Sequence, residues 1–250
     1  MNVRHHLATL TLCLLALPLS ARAQAVSATD WRFQPSPHLS VQRELRLERI
    51  ELTAPRSLGI LALGGIAAAL SHHHEDPATM QRLIDRSSVE VIADAGNLYG
   101  SGWAIGGSSA LALGTGALVG DRRLSAFGRD LMKSYLLSGA VAMMGKELIH
   151  RRRPTGGGHS FPSGHTTSAF CSVPVIFHHF GWQAGLPALV VATGTSLGRM
   201  EDLHHYLSDV IMGAAIGLAV GDAVVHRSLS NTMTASLVVL PDRLGVAVEF

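Results

Sequence analysis

The stretch RMEDLHHYLSD, Arg199 to Asp209, decides how the rest of the chain is read. Arg199 stands six residues before His205, and Asp209 four after it. On a helix, residues four apart are neighbours, so Asp209 can accept a hydrogen bond from one imidazole nitrogen and fix the tautomer. The other nitrogen is then left with a free lone pair, the requirement for a nucleophile. His204 is turned by about 100° and cannot share that carboxylate as easily. A His–Asp pair that only closes a helix end would look the same, so the reading turns on two earlier islands.

The first island is KELIHRRRP, Lys146 to Pro154. Seven helical steps return to within about 20° of one face. A helix running through GAVAMMGKELIHRR would therefore carry Lys146 and Arg153 on the same side, with Pro154 stopping it. Gly156, Gly157 and Gly158 then let the chain turn sharply. As a bare run, Arg151, Arg152 and Arg153 read equally well as a helix-end or membrane-surface patch. The second island, Pro162-Ser163-Gly164-His165, reads as a loop entering a helix with Ser163 as N-cap. Free N–H groups at such a start hold anions, and Gly164 allows a close approach. His165 falls in the first turn. Alone, this tetrapeptide is also an ordinary capped helix with a solvated histidine.

Together the islands form Lys, six residues, Arg-Pro; Pro-Ser-Gly-His; and Arg, five residues, His, three residues, Asp. This order and spacing resembles the type 2 phosphatidic acid phosphatase and vanadium haloperoxidase superfamily, over roughly Gly145 to Val220. One position departs: Gly198 stands where that family usually has serine, which bears on fine positioning rather than on the reaction. The resemblance implies that His205 is the nucleophile, forming a phosphohistidine, and that Asp209 orients it. It implies that His165 protonates the leaving oxygen and then activates water. Lys146, Arg153 and Arg199, with the backbone at Ser163 and Gly164, would bind the phosphoryl oxygens. Such a reaction depends on positioning and charge neutralisation, and three cations can offset a phosphate dianion without a cofactor or metal. The tract His72-His73-His74-Glu75-Asp76 reads as a solvated loop rather than a metal site.

Composition points to a membrane. The 250 residues are 47% hydrophobic but only 15% charged, against about 25% in soluble domains. A net charge of +2 leaves no nucleic-acid footprint. Arg4, the apolar run Leu7 to Leu19 and Ala21-Arg22-Ala23 read as a secretory signal over residues 1–23. After cleavage Cys171 would be the one cysteine left, with no intrachain partner. Residues 24–56 read as a polar, amphipathic segment. Residues 57–226 read as the helical catalytic domain, and 227–250 as a tail.

The fold expected is all-α, a bundle of five or six mostly transmembrane helices built from Leu58–Leu70, Trp103–Val119, Leu131–Gly145, Thr166–Phe180, Ala184–Leu197 and Tyr206–Val225. Their Gly, Ala and Ser content suits close packing, although several fall short of the roughly 20 residues of a full span. The alternation Leu244, Val246, Val248, Phe250 predicts a small C-terminal hairpin turning at Pro241-Asp242-Arg243. Arg122, Arg123, Arg129 and Lys133 form a basic loop that belongs in the cytoplasm. All three islands then meet on the periplasmic side of a bacterial inner membrane. A cleaved signal agrees with that topology only if Leu58–Leu70 does not span.

The function expected is a metal-independent phosphatase acting on a phospholipid or polyprenyl phosphate: phosphatidic acid, undecaprenyl diphosphate or a lipid A phosphate. The alternatives are a soluble periplasmic acid phosphatase, a vanadate-dependent haloperoxidase and a non-catalytic lipid head-group binder. Motif spacing specifies neither the substrate nor the oligomeric state.

Overall fold

The computed structural model describes residues 51–72 and 90–226 in full, and the backbone of 86–89, 227–232, 234–240 and 243–249. The secretory signal, most of the 24–56 segment and His73 to Asp76 lie outside these residues. The chain divides into Met1–Ser40 and Val41–Phe250, and every described residue belongs to the second unit.

The described residues form seven helices: α1 (Pro55–Ser71), α2 (Arg86–Tyr99), α3 (Gly102–Val119), α4 (Arg122–Ile149), α5 (Gly164–Phe180), α6 (Trp182–Glu201) and α7 (Leu207–Thr232). Their ends follow local chemistry. The Ser101 hydroxyl accepts the Ala104 N–H at the start of α3, and Gly120 closes that helix at φ 74°. The Asp121 carboxylate accepts the Arg123 and Leu124 N–H groups at 2.9 and 3.0 Å to start α4. Such caps satisfy N–H groups that a helix start leaves without partners.

The helices pack through small residues. Along α7, Gly213, Gly217 and Gly221 face α5 so closely that an added Cβ would meet the carbonyl oxygens of Ser163, Thr167 and Cys171 at 2.7, 2.7 and 2.6 Å. α2 and α6 meet in the same way. A Cβ on Gly96 would lie 2.1 Å from the Thr195 nitrogen, and the Thr195 hydroxyl donates to the Gly96 carbonyl at 2.6 Å. Buried Ala169, Ala192, Ala219 and Ala223 continue this tight packing. It is the Gly/Ala/Ser-dependent packing read from the sequence, and it draws the starts of α5 and α7 together.

α1 runs along α7. Arg56 Nε donates to Asp222 at 2.8 Å, a Cβ on Gly64 would overlap that of Ala215, and His72 Nδ1 lies 3.3 Å from the Arg151 guanidinium. The helix thus extends from the end of α7 remote from the three islands to the end that carries them. Leu58–Leu70 therefore lies lengthwise beside α7.

Among the described residues, two helical segments are long and apolar enough to cross a membrane, Gly102–Val119 and Leu207–His226, rather than the five or six expected. α1 and α5 are 17 residues long. α4 is 28 residues long but carries Arg122, Arg123, Arg129, Asp130, Lys133, Lys146 and Glu147. The outer surface is nevertheless apolar. Trp103 and Leu118 are 91% and 90% exposed, and Leu63, Leu70, Val91 and Leu148 are also largely uncovered.

After α7 the backbone of the tail forms strands β1 (Thr234–Leu240) and β2 (Arg243–Glu249), antiparallel, with Thr234 opposite Glu249 and Leu240 opposite Arg243.

Candidate active site

The site forms where the end of α4, the start of α5, the end of α6 and the start of α7 converge. α4 stops at Ile149, five residues before Pro154. His150 takes a left-handed conformation, φ 50° and ψ 30°, and donates its N–H to the Lys146 carbonyl at 3.1 Å. Lys146 and Arg153 therefore do not share a helix face, contrary to the sequence expectation. The residue that breaks the helix is His150, and Arg153 comes from the loop that follows.

That loop folds back on itself. Arg152 bridges to His159 antiparallel, the Ser160 N–H donates to the Arg151 carbonyl at 2.7 Å, and the Gly156 N–H donates to that of Arg153 at 2.8 Å. Gly156 and Gly158 sit at φ 89° and 56°, which explains the glycine run. Lys146 Nζ ties the base of the loop by donating to the carbonyls of Pro162, His159 and Ser160 at 2.7, 3.1 and 3.4 Å.

Ser163 is the N-cap of α5, with its hydroxyl accepting the Thr166 N–H at 3.5 Å. The Ser163 N–H itself donates to the Asp209 backbone carbonyl at 3.0 Å, which joins the starts of α5 and α7. Gly164 keeps the approach to Lys146 open, since a Cβ there would stand 4.0 Å from Lys146 Cε.

His205 precedes α7 rather than lying on it, because the helix begins at Leu207. Its Nδ1 lies 3.6 Å from Asp209 Oδ2, within ion-pair reach but beyond a hydrogen bond, and has no hydrogen-bond partner. Both residues are almost fully buried. The Asp209 carboxylate is engaged elsewhere. It accepts from Arg151 Nη1 at 3.0 Å, from the Tyr206 N–H at 2.9 Å and, through a short contact, from the Ser160 hydroxyl. Arg151 also donates to the Ser208 hydroxyl at 2.7 Å and stacks 3.9 Å from the Tyr206 ring centroid.

Among the described residues, the buried side-chain atoms without a hydrogen-bond partner are Asn97 Oδ1, Arg153 Nε, Arg199 Nε, His204 Nδ1 and His205 Nδ1. Buried polar atoms are paired almost everywhere in folded proteins, so their concentration here marks a place built for a ligand. Arg199 makes a 3.5 Å ion pair with Asp202, and Asn97 Nδ2 reaches the same carboxylate at 3.4 Å.

The electrostatics fit an anion. His165 and His205 lie outside the apolar stretches of the bundle. Burial pushes the His165 imidazole down to about 4, helped by Arg199, His205, His204 and Arg153. His205 is also lowered, first by burial and then by Lys146 and Arg199, against the opposing pull of Asp209. Both imidazoles are thus neutral near pH 7, in a field of cations that a bound anion would offset.

All eight residues singled out in the sequence, Lys146, Arg153, Ser163, Gly164, His165, Arg199, His205 and Asp209, come together here. Five participants were missed. Arg151 and Ser160 hold Asp209, Tyr206 and Ser208 hold Arg151, and Asn97 comes from α2. A Cβ on Gly198 would lie 2.9–3.0 Å from Asn97 and the Ala93 carbonyl. The glycine found in place of the family's serine is where α2 presses against α6. The serine-to-glycine departure was the one visible sign of that contact.

A cleft of about 400 Å³ is lined by Lys146, Gly164 and His165 of the site together with Tyr135, Leu136, Ala140 and Met143 of α4.

Comparison with known proteins agrees with the motif reading. The family model described as the PAP2 superfamily matches residues 133–232. Lipid A 1-phosphatase of Porphyromonas gingivalis is 33% identical over 107 residues, 40% of this chain but 24% of that protein, so the match spans about a quarter of its length. Decaprenylphosphoryl-5-phosphoribose phosphatase of Mycobacterium tuberculosis is 30% identical over 168 residues, covering 59% of this chain and 85% of the relative. A PAP2-type phosphatidylglycerolphosphate phosphatase from Bacillus subtilis, solved as a crystal structure, is 19% identical with a TM-score of 0.42, over 70% of this chain and 96% of its own. The named relatives are phosphatases, and this chain belongs to the PAP2 superfamily.

Proposed function

We propose that the protein is a phosphatase that removes phosphate from a membrane lipid, a phospholipid or a polyprenyl-linked phosphate, through a phosphohistidine. The observation that carries this reading is a cleft whose lining combines Lys146 and His165 of the site with apolar Leu136, Ala140 and Met143. A molecule that carries both a phosphate and a hydrocarbon chain matches that mixed lining. The exposed apolar surface weighs against a water-soluble phosphatase of small esters. Two relatives are named for substrates of this kind, a lipid A phosphate and a decaprenyl-linked phosphoribose.

In the proposed reaction the phosphate lies among Arg153, Arg199, Lys146 and the backbone N–H groups at the start of α5. The free imidazole nitrogen of His205 attacks phosphorus as the P–O bond to the lipid breaks. His165, protonated once the bound phosphate offsets the surrounding cations, gives its proton to the leaving oxygen. Water then attacks the phosphohistidine, His165 takes a proton from that water, the N–P bond breaks and inorganic phosphate leaves. Asp209 stabilises the positive charge on His205, and Arg151, Ser160 and the Tyr206 N–H hold Asp209 in place. Preorganised charge of this kind supplies most of the stabilisation in phosphoryl transfer.

We place the protein in a bacterial inner membrane with the site facing the periplasm. The far end carries Arg56, Arg122 and Arg123, the signature of a cytoplasmic face.

The test is phosphate release by detergent-purified protein without added metal. The panel is phosphatidic acid, undecaprenyl diphosphate, lipid A, a polyprenyl-linked sugar phosphate and a soluble aryl phosphate, with His205→Ala as control. Release from a lipid that the variant loses is the expected result. Release from the aryl phosphate alone, or full activity in the variant, would overturn the proposal.

A further inference from the structure

The rim of the site carries a second group of chemistry-bearing side chains that the proposed reaction does not use. Glu147 lies in the last turn of α4, His150 caps that helix, and His159 stands on the returning arm of the loop. One ligand atom from each lies within 4.8 Å of the other two. His159 Nδ1 is 3.9 Å from Glu147 Oε1, and the two imidazoles meet edge to face with centroids 4.7 Å apart.

We propose that Glu147, His150 and His159 form a binding site for a zinc-class divalent ion. Two imidazoles and one carboxylate, with a water in the fourth position, are an established donor set for zinc. Tetrahedral coordination at about 2.0–2.2 Å sets donor atoms a little over 3 Å apart. The present spacing therefore requires side-chain movements of about 1 Å, which rotation about surface χ angles supplies. Glu147 has that freedom, its side chain being 74% exposed.

The two histidines are set on firm backbone. His150 is fixed by the helix-ending hydrogen bond to Lys146, and His159 by its bridge to Arg152 and by the Lys146 ammonium on its carbonyl. Two of the three donors are imidazoles, a poor set for magnesium or calcium, which depend on oxygen ligands. Imidazole donors favour zinc, nickel or copper ions. A bound ion would tie the last turn of α4 to the returning arm of the loop. It would thereby hold the 150–159 segment that delivers Arg151 and Arg153 to the pocket. The inference stands apart from the phosphatase reading, since it concerns binding alone.

The experiment uses the full chain in detergent, without a histidine tag and stripped by a chelator. Cobalt(II) is titrated while the visible d–d absorption of four-coordinate cobalt is followed, and zinc is then added. The expected result is one equivalent of bound cobalt, displaced by zinc. His159→Ala and His150→Asn should weaken binding by more than the roughly 10- to 100-fold attached even to outer partners of a metal. His150→Asn is chosen because asparagine tolerates the left-handed conformation. A variant with His72, His73 and His74 all changed to Ala should keep the full signal. Zinc should also slow tryptic cutting after Arg151 and Arg152 in the wild type and not in His159→Ala. A metal-free thermal midpoint and circular dichroism spectrum equal to wild type in the two histidine variants separate loss of the ligand from loss of the fold. No saturable cobalt band, a band that survives His159→Ala, or one that vanishes with the His72–His74 changes would overturn the proposal.

Discussion

The bundle carries a buried His–Asp pair at each end, and the two are built differently. At the far end His179 Nε2 is hydrogen bonded to Asp130 at 2.9 Å. The Phe127 and Phe180 rings pack beside His179, and its carbonyl accepts from Arg123 at 2.7 Å. At the site end His205 stands 3.6 Å from Asp209, its Nδ1 has no hydrogen-bond partner, and the carboxylate is held by Arg151, Ser160 and the Tyr206 N–H. The far pair is closed and fully satisfied, whereas the near pair is held open beside a group of cations. Function is marked by polar groups that the fold positions but leaves unsatisfied.

Exchanging alanine for each histidine tests this contrast most severely. His205→Ala should lower turnover by at least about 10³-fold, the scale of losing a nucleophile, with little change in thermal midpoint. His179→Ala should keep turnover per folded molecule while losing roughly 3 kcal/mol, because Asp130 is left buried without its partner. Measuring phosphate release and thermal unfolding on both variants decides the matter. A His179 variant as inactive as the His205 variant would erase the distinction.

The next effect concerns what holds Asp209. Ser160→Ala and Arg151→Ala each remove a donor to its carboxylate and let it turn toward other partners. Each should reduce kcat about 10- to 100-fold, with a smaller change in KM, since the loss falls on orientation rather than on phosphate contact. Arg151→Lys should restore less than half of the lost activity, because lysine lacks the planar fork that reaches Ser208 and Asp209 together. A change confined to KM would instead place Arg151 among the phosphate contacts.

The legible and illegible parts of the site separate along a physical line. The three islands and the family resemblance they carry singled out His165, His205, Asp209 and the three cations, and the structure brings these residues together because each island lies at or beside a helix end. The single helix face for Lys146 and Arg153 failed, since a periodicity argument contains no signal for His150 taking a left-handed turn. The extra partners of Asp209 were out of reach for a different reason. Ser160 is 49 residues away in sequence and Arg151 is 58, and such contacts exist only after α4, α5 and α7 have packed. The all-helical character and the small-residue packing were readable from composition. The membrane-crossing count was not, because α1, α4 and α5 fall short in length or apolar content while keeping an apolar outer surface.

A pH profile sharpens the comparison on the electrostatic side. With His165 held at about 4 by burial and by Arg199, His205, His204 and Arg153, the free enzyme keeps it protonated only in acid. A step that needs its proton should make kcat/KM fall as pH rises above that value. A bound phosphate dianion offsets the cations and raises the imidazole, so kcat should persist to higher pH. Arg199→Gln removes a cation that lowers His165 and should move the falling limb of kcat/KM upward, even as the maximum drops. The same depression acts on stability. Unfolded His165 takes a proton below its ordinary value of 6.5, and the folded form only near 4, so its contribution is present above 6.5 and is lost as pH falls toward 4. An unmoved limb in Arg199→Gln would remove His165 as the proton donor.

The smallest effect tests the position where the chain leaves the family pattern. A side chain at residue 198 must enter a gap in which Asn97 and the Ala93 carbonyl stand 2.9–3.0 Å from the new Cβ. The Asn97 amide can swing aside, but the Ala93 carbonyl belongs to the α2 backbone and yields only if α2 moves off α6. Gly198→Ser should therefore cost about 1–3 kcal/mol, as overpacking usually does, and lower activity only a few-fold. Asn97→Ala clears the side-chain half of that clash. The double variant should recover part of the loss, a coupling expected when two residues compete for one space. Additive losses in the two single variants would mean that Asn97 and Gly198 do not share that space, and that the serine-to-glycine departure has nothing to do with how α2 seats against the site.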